Sequence, residues 1–183
     1  MEHAISHGAF AVGMDIDHSF SGEGDYDNVF GLPMHAKSLD EMKEFIQASS
    51  VPFIVKGVLS VQDAEKCVQA GAQGIVLSHH HGMMDYSVPP LMVLPEILHA
   101  VGDQIPVFVD CGLISGMDVY KALALGATAV CVGRDLMKPL KDGAVAVTNR
   151  IQEMNRQLIS TMARTGVASL KDMDATVIHQ RNF

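Results

Sequence analysis

Hydrophobic positions along this chain fall into five short continuous runs, and a polar or reactive side chain ends each run. The runs are FAVGMD from Phe10, PFIVKG from Pro52, GIVLSHHH from Gly74, PVFVDCG from Pro106 and AVCVGR from Ala129. Continuous rather than alternating hydrophobicity is typical of parallel strands that are buried on both faces. The pattern predicts five parallel strands, with the candidate chemistry at the end of each strand.

Helical segments separate these strands and carry recognisable start and stop signals. Three begin at a serine with a carboxylate three residues later, which is the spacing of an N-terminal capping box or a close variant. The three serines are Ser38, Ser60 and Ser115. Further helices are predicted from about 91 to 101 and from about 144 to 164, and Gly71 suits the left-handed turn that ends a helix. The alternation predicts an α/β fold with right-handed crossovers, either open or closed into a barrel.

Composition and charge exclude several classes of protein. The 183 residues are 48% hydrophobic and 19% charged, as in an ordinary globular protein. A net charge of −8 argues against binding to nucleic acid or to anionic membranes. Apolar runs stay short of the roughly 20 residues of a membrane span, and the start of the chain lacks the pattern of a signal peptide. The expectation is a cytoplasmic protein without nucleic-acid or membrane partners.

Cysteine and histidine spacing predicts neither a disulfide framework nor a metal site. Cys67, Cys111 and Cys131 are odd in number and show no paired spacing, so small buried thiols are expected. Three consecutive histidines, 79 to 81, could bind a metal ion. Neighbours on an extended chain diverge, however, and no carboxylate or cysteine follows at a recurrent ligand spacing.

The glycine pattern favours a barrel over a dinucleotide-binding sheet. No GxGxxG follows the first predicted strand. The last strand is followed by VGRDL, which offers backbone amides and an arginine to a phosphate. The five strand-helix units fall short of the eight that a closed barrel requires.

From about Ala9 to Leu170 the chain resembles the FMN-dependent α-hydroxy acid oxidases and dehydrogenases, among them glycolate oxidase and lactate oxidase. The segments that carry the resemblance are PFIVKGVLSVQDAEKCVQAGAQGIVLSHHHG, VPPLMVLPEI, DCGLISGMDVYKALALGA and VGR. The resemblance implies FMN as cofactor and a partial TIM (β/α)8 barrel with a parallel sheet. Residues 1–183 would be its C-terminal part, the last five strand-helix units, with the N-terminal three absent. Exposed strand edges would then require a separate N-terminal half-barrel chain or a homo-oligomer, unless the gene product is truncated.

The same resemblance assigns the catalytic residues. His80 matches the active-site base, which takes a proton from the substrate hydroxyl or α-carbon, and histidine suits this because its charge changes near neutral pH. Asp15 matches the aspartate that orients this base, and Asp17 is the less favoured candidate. Lys56 matches the lysine beside the flavin N1 and O2 edge, where a cation stabilises the charge of reduced flavin.

Six further residues are assigned to the cofactor by the resemblance. Ser78 would reach the flavin ring or its ribityl chain. Asp110, Cys111 and Gly112 would lie along the ribityl chain and phosphate, and Gly133 and Arg134 would bind the phosphate.

Three departures from the family pattern affect the expected substrate and cofactor affinity. Met83 stands where the family has an arginine that binds the substrate carboxylate, three residues after His80. A second family arginine is also missing, because residues 18 to 35 contain no lysine or arginine and carry Glu23, Asp25 and Asp27. Ile114 replaces the arginine of the phosphate motif. Each lost charge-assisted hydrogen bond costs about 1.5 to 3 kcal/mol.

The sequence therefore predicts an FMN-dependent oxidoreductase acting on a small 2-hydroxy acid or a related hydroxylated substrate. The alternative is a catalytically silent or incomplete flavin-binding fragment that needs a partner chain. Another FMN barrel, resembling type 2 isopentenyl diphosphate isomerase, fits the region around His80 less well.

Overall fold

A computed structural model of the chain describes residues 1–17, 28–80 and 87–179. Its contacts divide the chain into two compact units, Met1–Val107 and Phe108–Phe183, and each unit is described by itself. Several of the predicted positions lie outside the described residues: His81, Met83, Glu23, Asp25 and Asp27.

The first unit contains three of the five predicted strands. Its elements are α1 (Glu2–Ser6), β1 (Val12–Asp15), β2 (Asn28–Val29), β3 (Leu32–Pro33), α2 (Leu39–Gln47), β4 (Phe53–Val58), α3 (Val61–Ala70), β5 (Gly74–Leu77) and α4 (Pro90–Val101). β4 pairs in parallel with β1 on one side and with β5 on the other, placing Val12 opposite Phe53 and Ile54 opposite Gly74. The small antiparallel hairpin of β2 and β3 and the short α1 were not predicted.

The second unit continues the alternation of strands and helices. Its elements are β6 (Val107–Val109), which begins at the boundary residue, α5 (Gly116–Ala124), β7 (Ala129–Val130), α6 (Met137–Leu140) and α7 (Ala144–Arg164), with 3-10 turns at Arg134–Leu136, Leu170–Asp172 and Ala175–Val177. β6 and β7 pair in parallel. Parallel strands alternating with helices in both units confirm the predicted α/β fold class. In the described ranges no helix combines the length and apolar character that a membrane span requires.

Local signals explain where the helices begin and end. Ser38 caps α2 in a complete capping box, because its hydroxyl accepts from the Glu41 amide at 3.3 Å and its own amide donates to the Glu41 carboxylate at 2.8 Å. These hydrogen bonds lower the pKa of Glu41. Ser60 and Ser115 cap α3 and α5 as predicted. Gly71 ends α3 with a φ of +93°, which only glycine adopts without strain.

Burial differs between the strands of the first unit. All four residues of β5 are buried, as the continuous hydrophobic run predicts. In β4, Phe53 and Val55 are buried, whereas Ile54 and Lys56 are half-buried. Alternate residues of a strand point to opposite faces, so one face of β4 lies in the core and the other carries Lys56.

The cysteines only partly match the prediction of three buried thiols. Cys67 is buried in α3, Cys111 is half-buried and Cys131 is exposed. Burial raises the pKa of the Cys67 thiol to about 12, so this group stays protonated at neutral pH. All three cysteines lie in the described part of the chain, and none forms a disulfide.

Close packing of α5 against α7 depends on Gly116. A Cβ at this position would overlap the backbone oxygen of Met154 and the backbone nitrogen of Leu158, and would lie 2.7 Å from Cβ of Gln157. We expect Gly116→Ala to lower the free energy of unfolding by about 1 to 3 kcal/mol or more, because backbone atoms cannot move aside as a side chain can. Urea denaturation followed by circular dichroism measures this.

The matched control is Gly133→Ala, in the same unit. A Cβ at Gly133 would meet no atom within 4 Å, so the expected loss is below about 1 kcal/mol. Equal destabilisation by the two substitutions would show that close approach at Gly116 does not limit stability.

Candidate active site and cofactor-binding residues

Three of the predicted site residues meet at the carboxyl ends of the strands in the first unit. Asp15 is the last residue of β1, Lys56 lies opposite it in β4, and His80 follows β5 by three residues. The Lys56 ammonium donates to Asp15 Oδ1 at 2.7 Å and to His80 Nε2 at 3.0 Å. Parallel strands end at a common edge, which is why residues far apart in sequence come together here.

Asp15 was predicted to be the aspartate that orients His80, but the aspartate in contact with Nδ1 of His80 is Asp17. His80 Nδ1 donates to Asp17 Oδ2 at 2.8 Å, whereas Asp15 pairs with Lys56 and places its other oxygen 3.5 Å from His80 Nε2. The prediction applied strand periodicity to both aspartates. β1 ends at Asp15, and Asp17 lies in the bend that follows, where that periodicity no longer holds.

A β-bulge at Gly57 makes room for Asp17. The register of β4 against β5 shifts between Lys56 and Val58, so Gly57 is an extra residue in the strand, with a φ of +93°. A Cβ on Gly57 would lie 2.5 Å from Cγ of Asp17. The bulge therefore provides the surface on which the carboxylate reaches His80, and a glycine directly after the candidate lysine is the sequence signal for it.

These contacts define one protonation pattern for His80. An ionised carboxylate only accepts hydrogen bonds, so Asp17 requires the proton on Nδ1. The lone pair of Nε2 then accepts from the Lys56 ammonium, so these two hydrogen bonds favour the tautomer with its proton on Nδ1. The His80 side chain is 20% exposed and its backbone is left-handed, with a φ of +48°. Such a conformation is uncommon outside glycine and is frequent at functional sites.

The same cluster offers ligand atoms that a metal ion could use. One atom each from Asp15, Asp17 and His80 lies within 4.8 Å of the other two. Local spacing missed this set because His80 lies more than 60 positions from the two aspartates. The Lys56 ammonium, however, already contacts Asp15 and Nε2 of His80. The Lys56 ammonium therefore supplies a positive charge next to Asp15 and His80.

The remaining predicted residue of the first unit is Ser78, directly after β5. Ser78 is completely buried. Among the described residues, it is the polar residue that lies within the hydrophobic core. Its hydroxyl therefore presents no surface to a ligand in this conformation, whereas the partly exposed Lys56 ammonium fits the polar edge of a flavin.

The second unit holds the other predicted cofactor residues at the ends of its two strands. Asp110, Cys111 and Gly112 follow β6, while Gly133 and Arg134 follow β7. Cys111 and Gly112 both have left-handed backbones, with φ of +64° and +77°. A Cβ at Gly112 or at Gly133 would meet no atom within 4 Å, so the backbone is open to a ligand on both segments. With the Arg134 guanidinium, these segments fit a phosphate group.

The arrangement of strands and site residues agrees with comparisons to known proteins. The model of the FMN-dependent dehydrogenase family matches residues 2–180, so the chain belongs to this family. The resemblance stated from sequence motifs is thereby confirmed.

Particular relatives are oxidases of hydroxy acids. L-lactate oxidase from Roseobacter sp. (strain GAI101) is 41% identical over 145 residues, which are 78% of this chain and 39% of the relative. Glycolate oxidase from Spinacia oleracea is 41% identical over 132 residues, which are 71% of this chain and 36% of the relative. A solved structure of mandelate oxidase with an FMN monooxide adduct has a TM-score of 0.81 and 32% identity, covering 93% of this chain and 55% of that one. The chain thus spans less than half the length of the two curated relatives, lactate oxidase and glycolate oxidase, and about half of the mandelate oxidase chain.

Proposed function

We propose that this chain is the FMN-binding part of an oxidoreductase that oxidises a small 2-hydroxy acid or a related hydroxylated substrate. The observation that carries the proposal is the environment of His80 in a member of this family. Asp17 holds one ring nitrogen, and the other nitrogen has its lone pair directed towards Lys56 at the strand ends. This is the arrangement of a general base with an orienting carboxylate.

His80 is the proposed base that removes the proton of the substrate hydroxyl or α-carbon. For Nε2 to accept that proton, Lys56 must give up its hydrogen bond to this atom. The Asp17 carboxylate then stabilises the imidazolium through Nδ1, and Asp15 Oδ2, 3.5 Å from Nε2, adds a second negative charge nearby. When bound, FMN supplies the acceptor for the two electrons of the substrate.

Lys56 has the proposed task of holding the edge of the flavin. Asp15 positions the Lys56 ammonium, which supplies a fixed positive charge for the flavin edge. Ser78 is completely buried, so its predicted contact with the same group requires its hydroxyl to become accessible. The residues proposed for the ribityl chain and phosphate are Asp110, Cys111, Gly112, Gly133 and Arg134.

The test is anaerobic titration of the FMN-loaded protein with 2-hydroxy acids while the flavin absorbance is recorded. L-lactate, glycolate and mandelate are compared with uncharged hydroxy amides, because Met83 replaces the arginine expected to bind the carboxylate. Bleaching by any member of the panel supports the proposal. Uptake of FMN without bleaching favours the alternative of a catalytically silent flavin-binding fragment, and no uptake of FMN with or without a complementary chain contradicts both.

We propose further that a second chain completes the protein, as a complementary half-barrel or a second copy. Support comes from the share of the relatives that is covered and from large exposed apolar side chains in the first unit. Phe10 is 88% exposed beside β1, and Phe30 and Leu32 are fully or largely exposed on the β2–β3 hairpin. Analytical ultracentrifugation of the chain, alone and with an upstream-encoded chain, distinguishes the two. A monomer in both experiments contradicts the proposal.

The cytoplasmic location stays a prediction.

Gly57→Ala is expected to slow flavin reduction by about tenfold or more, because the added methyl group displaces the Asp17 carboxylate from His80. Gly71→Ala is the matched control. Gly71 has the same φ of +93°, but its Cβ would make only an ordinary contact of 3.7 Å to Ile46. Both variants lose about 1 to 2 kcal/mol of stability from backbone strain. Stopped-flow reduction rates that fall equally in the two variants would contradict the role assigned to Gly57.

A further inference from the structure

Arg150 of α7 makes three charge-assisted hydrogen bonds within the second unit. Its Nε donates to Asp135 Oδ2 at 2.6 Å, Nη1 donates to Glu153 Oε2 at 2.8 Å, and Nη2 donates to the backbone oxygen of Ile114 at 2.5 Å. The side chain is 22% exposed. The hydrogen bond to Asp135, and to a smaller extent the one to Glu153, raises the pKa of Arg150 above its usual value.

These contacts join two segments that lie far apart in sequence. Ile114 is two residues after Gly112, on the segment that follows β6. Asp135 is the residue after Arg134, in the 3-10 turn that follows β7. A single planar guanidinium therefore fixes both segments, and its fork geometry sets their separation and orientation.

Other residues of α7 and α5 hold the guanidinium in place. Glu153 accepts from Arg150 on one oxygen, and its other oxygen lies 3.4 Å from Nε2 of Gln157. Gln157 in turn accepts from the Gly116 amide at 2.8 Å, at the start of α5. The side chain of Arg150 is thus anchored to the start of α5 as well as to α7.

We propose that Arg150 is a positioning residue for the phosphate of FMN. It holds the segments of Gly112 and Arg134 in one geometry, and this compensates for the arginine that Ile114 replaces. Each of its nitrogens, Nε, Nη1 and Nη2, already donates to Asp135, Glu153 or Ile114, so it acts on the phosphate through these segments rather than by contact. The inference rests on the proposed function, because it assumes that these segments bind FMN.

The test compares the binding of FMN with that of riboflavin, which lacks the phosphate, by quenching of flavin fluorescence. Arg150→Met should weaken FMN binding by about tenfold or more, as expected when preorganised charge-assisted contacts are lost, while riboflavin binding changes by less than about twofold. Arg150→Lys should be intermediate, since an ammonium cannot bond both carboxylates and the carbonyl. Arg156→Met, on the exposed part of the same helix, is the control and should leave both affinities unchanged.

A second measurement separates this inference from the proposed function. Titration of the chain with inorganic phosphate, followed by the amide NMR signals of Gly112 and Gly133, should shift these signals in the unsubstituted chain and much less in Arg150→Met. Phosphate binding that depends on Arg150, without any uptake of FMN, would support the positioning role of Arg150 and contradict the proposed function. Equal weakening of FMN and riboflavin, an unchanged FMN affinity, or absence of phosphate binding in the unsubstituted chain would overturn the inference. Thermal denaturation of each variant shows whether it is folded.

Discussion

Replacing His80 with asparagine should lower the rate of flavin reduction by about 10²- to 10⁴-fold, the usual contribution of a general base. Asparagine has no group that can take up a proton at Nε2, so the step assigned to His80 is removed. It also tolerates the left-handed backbone of this position, where φ is +48°, better than most residues. FMN affinity should change little, because the proposed phosphate contacts belong to other residues.

The measurement is the single-turnover rate of flavin bleaching under anaerobic conditions, together with the FMN dissociation constant. His79→Asn serves as the control, since His79 is the adjacent half-buried histidine and has no proposed catalytic role. A His80→Asn protein that reduces flavin within about threefold of the unsubstituted rate would show that another group is the base.

Replacing Asp17 with asparagine should lower the reduction rate by about 10²- to 10³-fold, and by more than Asp15→Asn does. The Asp17 carboxylate accepts from His80 Nδ1 at 2.8 Å, so it fixes the proton there and leaves Nε2 available as a base. An asparagine amide can donate to Nδ1 instead, which moves the ring proton to Nε2. Asp15 acts mainly on Lys56, at 2.7 Å, so its loss should affect flavin affinity more than proton transfer.

The tautomer of His80 can be measured directly. Two-bond ¹⁵N–¹H correlation spectra should show the proton on Nδ1 in the unsubstituted chain and in Asp15→Asn. In Asp17→Asn the Nε2–H form should gain population. A larger kinetic effect for Asp15→Asn, with the ring proton still on Nδ1 in Asp17→Asn, would contradict this prediction. Asp15 would then be the aspartate that orients His80, as the sequence favoured.

Local features of the fold were predictable because they depend on neighbouring residues. The capping serines Ser38, Ser60 and Ser115 and the terminal Gly71 were each identified from the spacing of a few positions. Apolar continuity found every strand of the α/β alternation, including the short β7. It overstated the burial of β4, because continuous hydrophobicity does not show how many faces of a strand are covered.

The site was predictable to the extent that strand ends coincide in a parallel sheet. Asp15 ends β1, Lys56 lies two residues before the end of β4, and His80 follows β5 by three residues, so their side chains come together at this edge. The partner of His80 was not predictable, because the bulge at Gly57 and the bend after β1 decide which aspartate reaches Nδ1.

The amino-acid sequence by itself determined the family, the order of strands and helices, and which side chains stand at the strand ends, since periodicity, capping and motifs are properties of short segments. Only the tertiary structure decided that Asp17 contacts Nδ1 of His80 and that Arg150 joins the segments of Ile114 and Asp135. These hydrogen bonds link residues 15 to 63 positions apart. Their geometry depends on how separate elements pack, and hydrogen bonds form only within a few tenths of an ångström of the right distance.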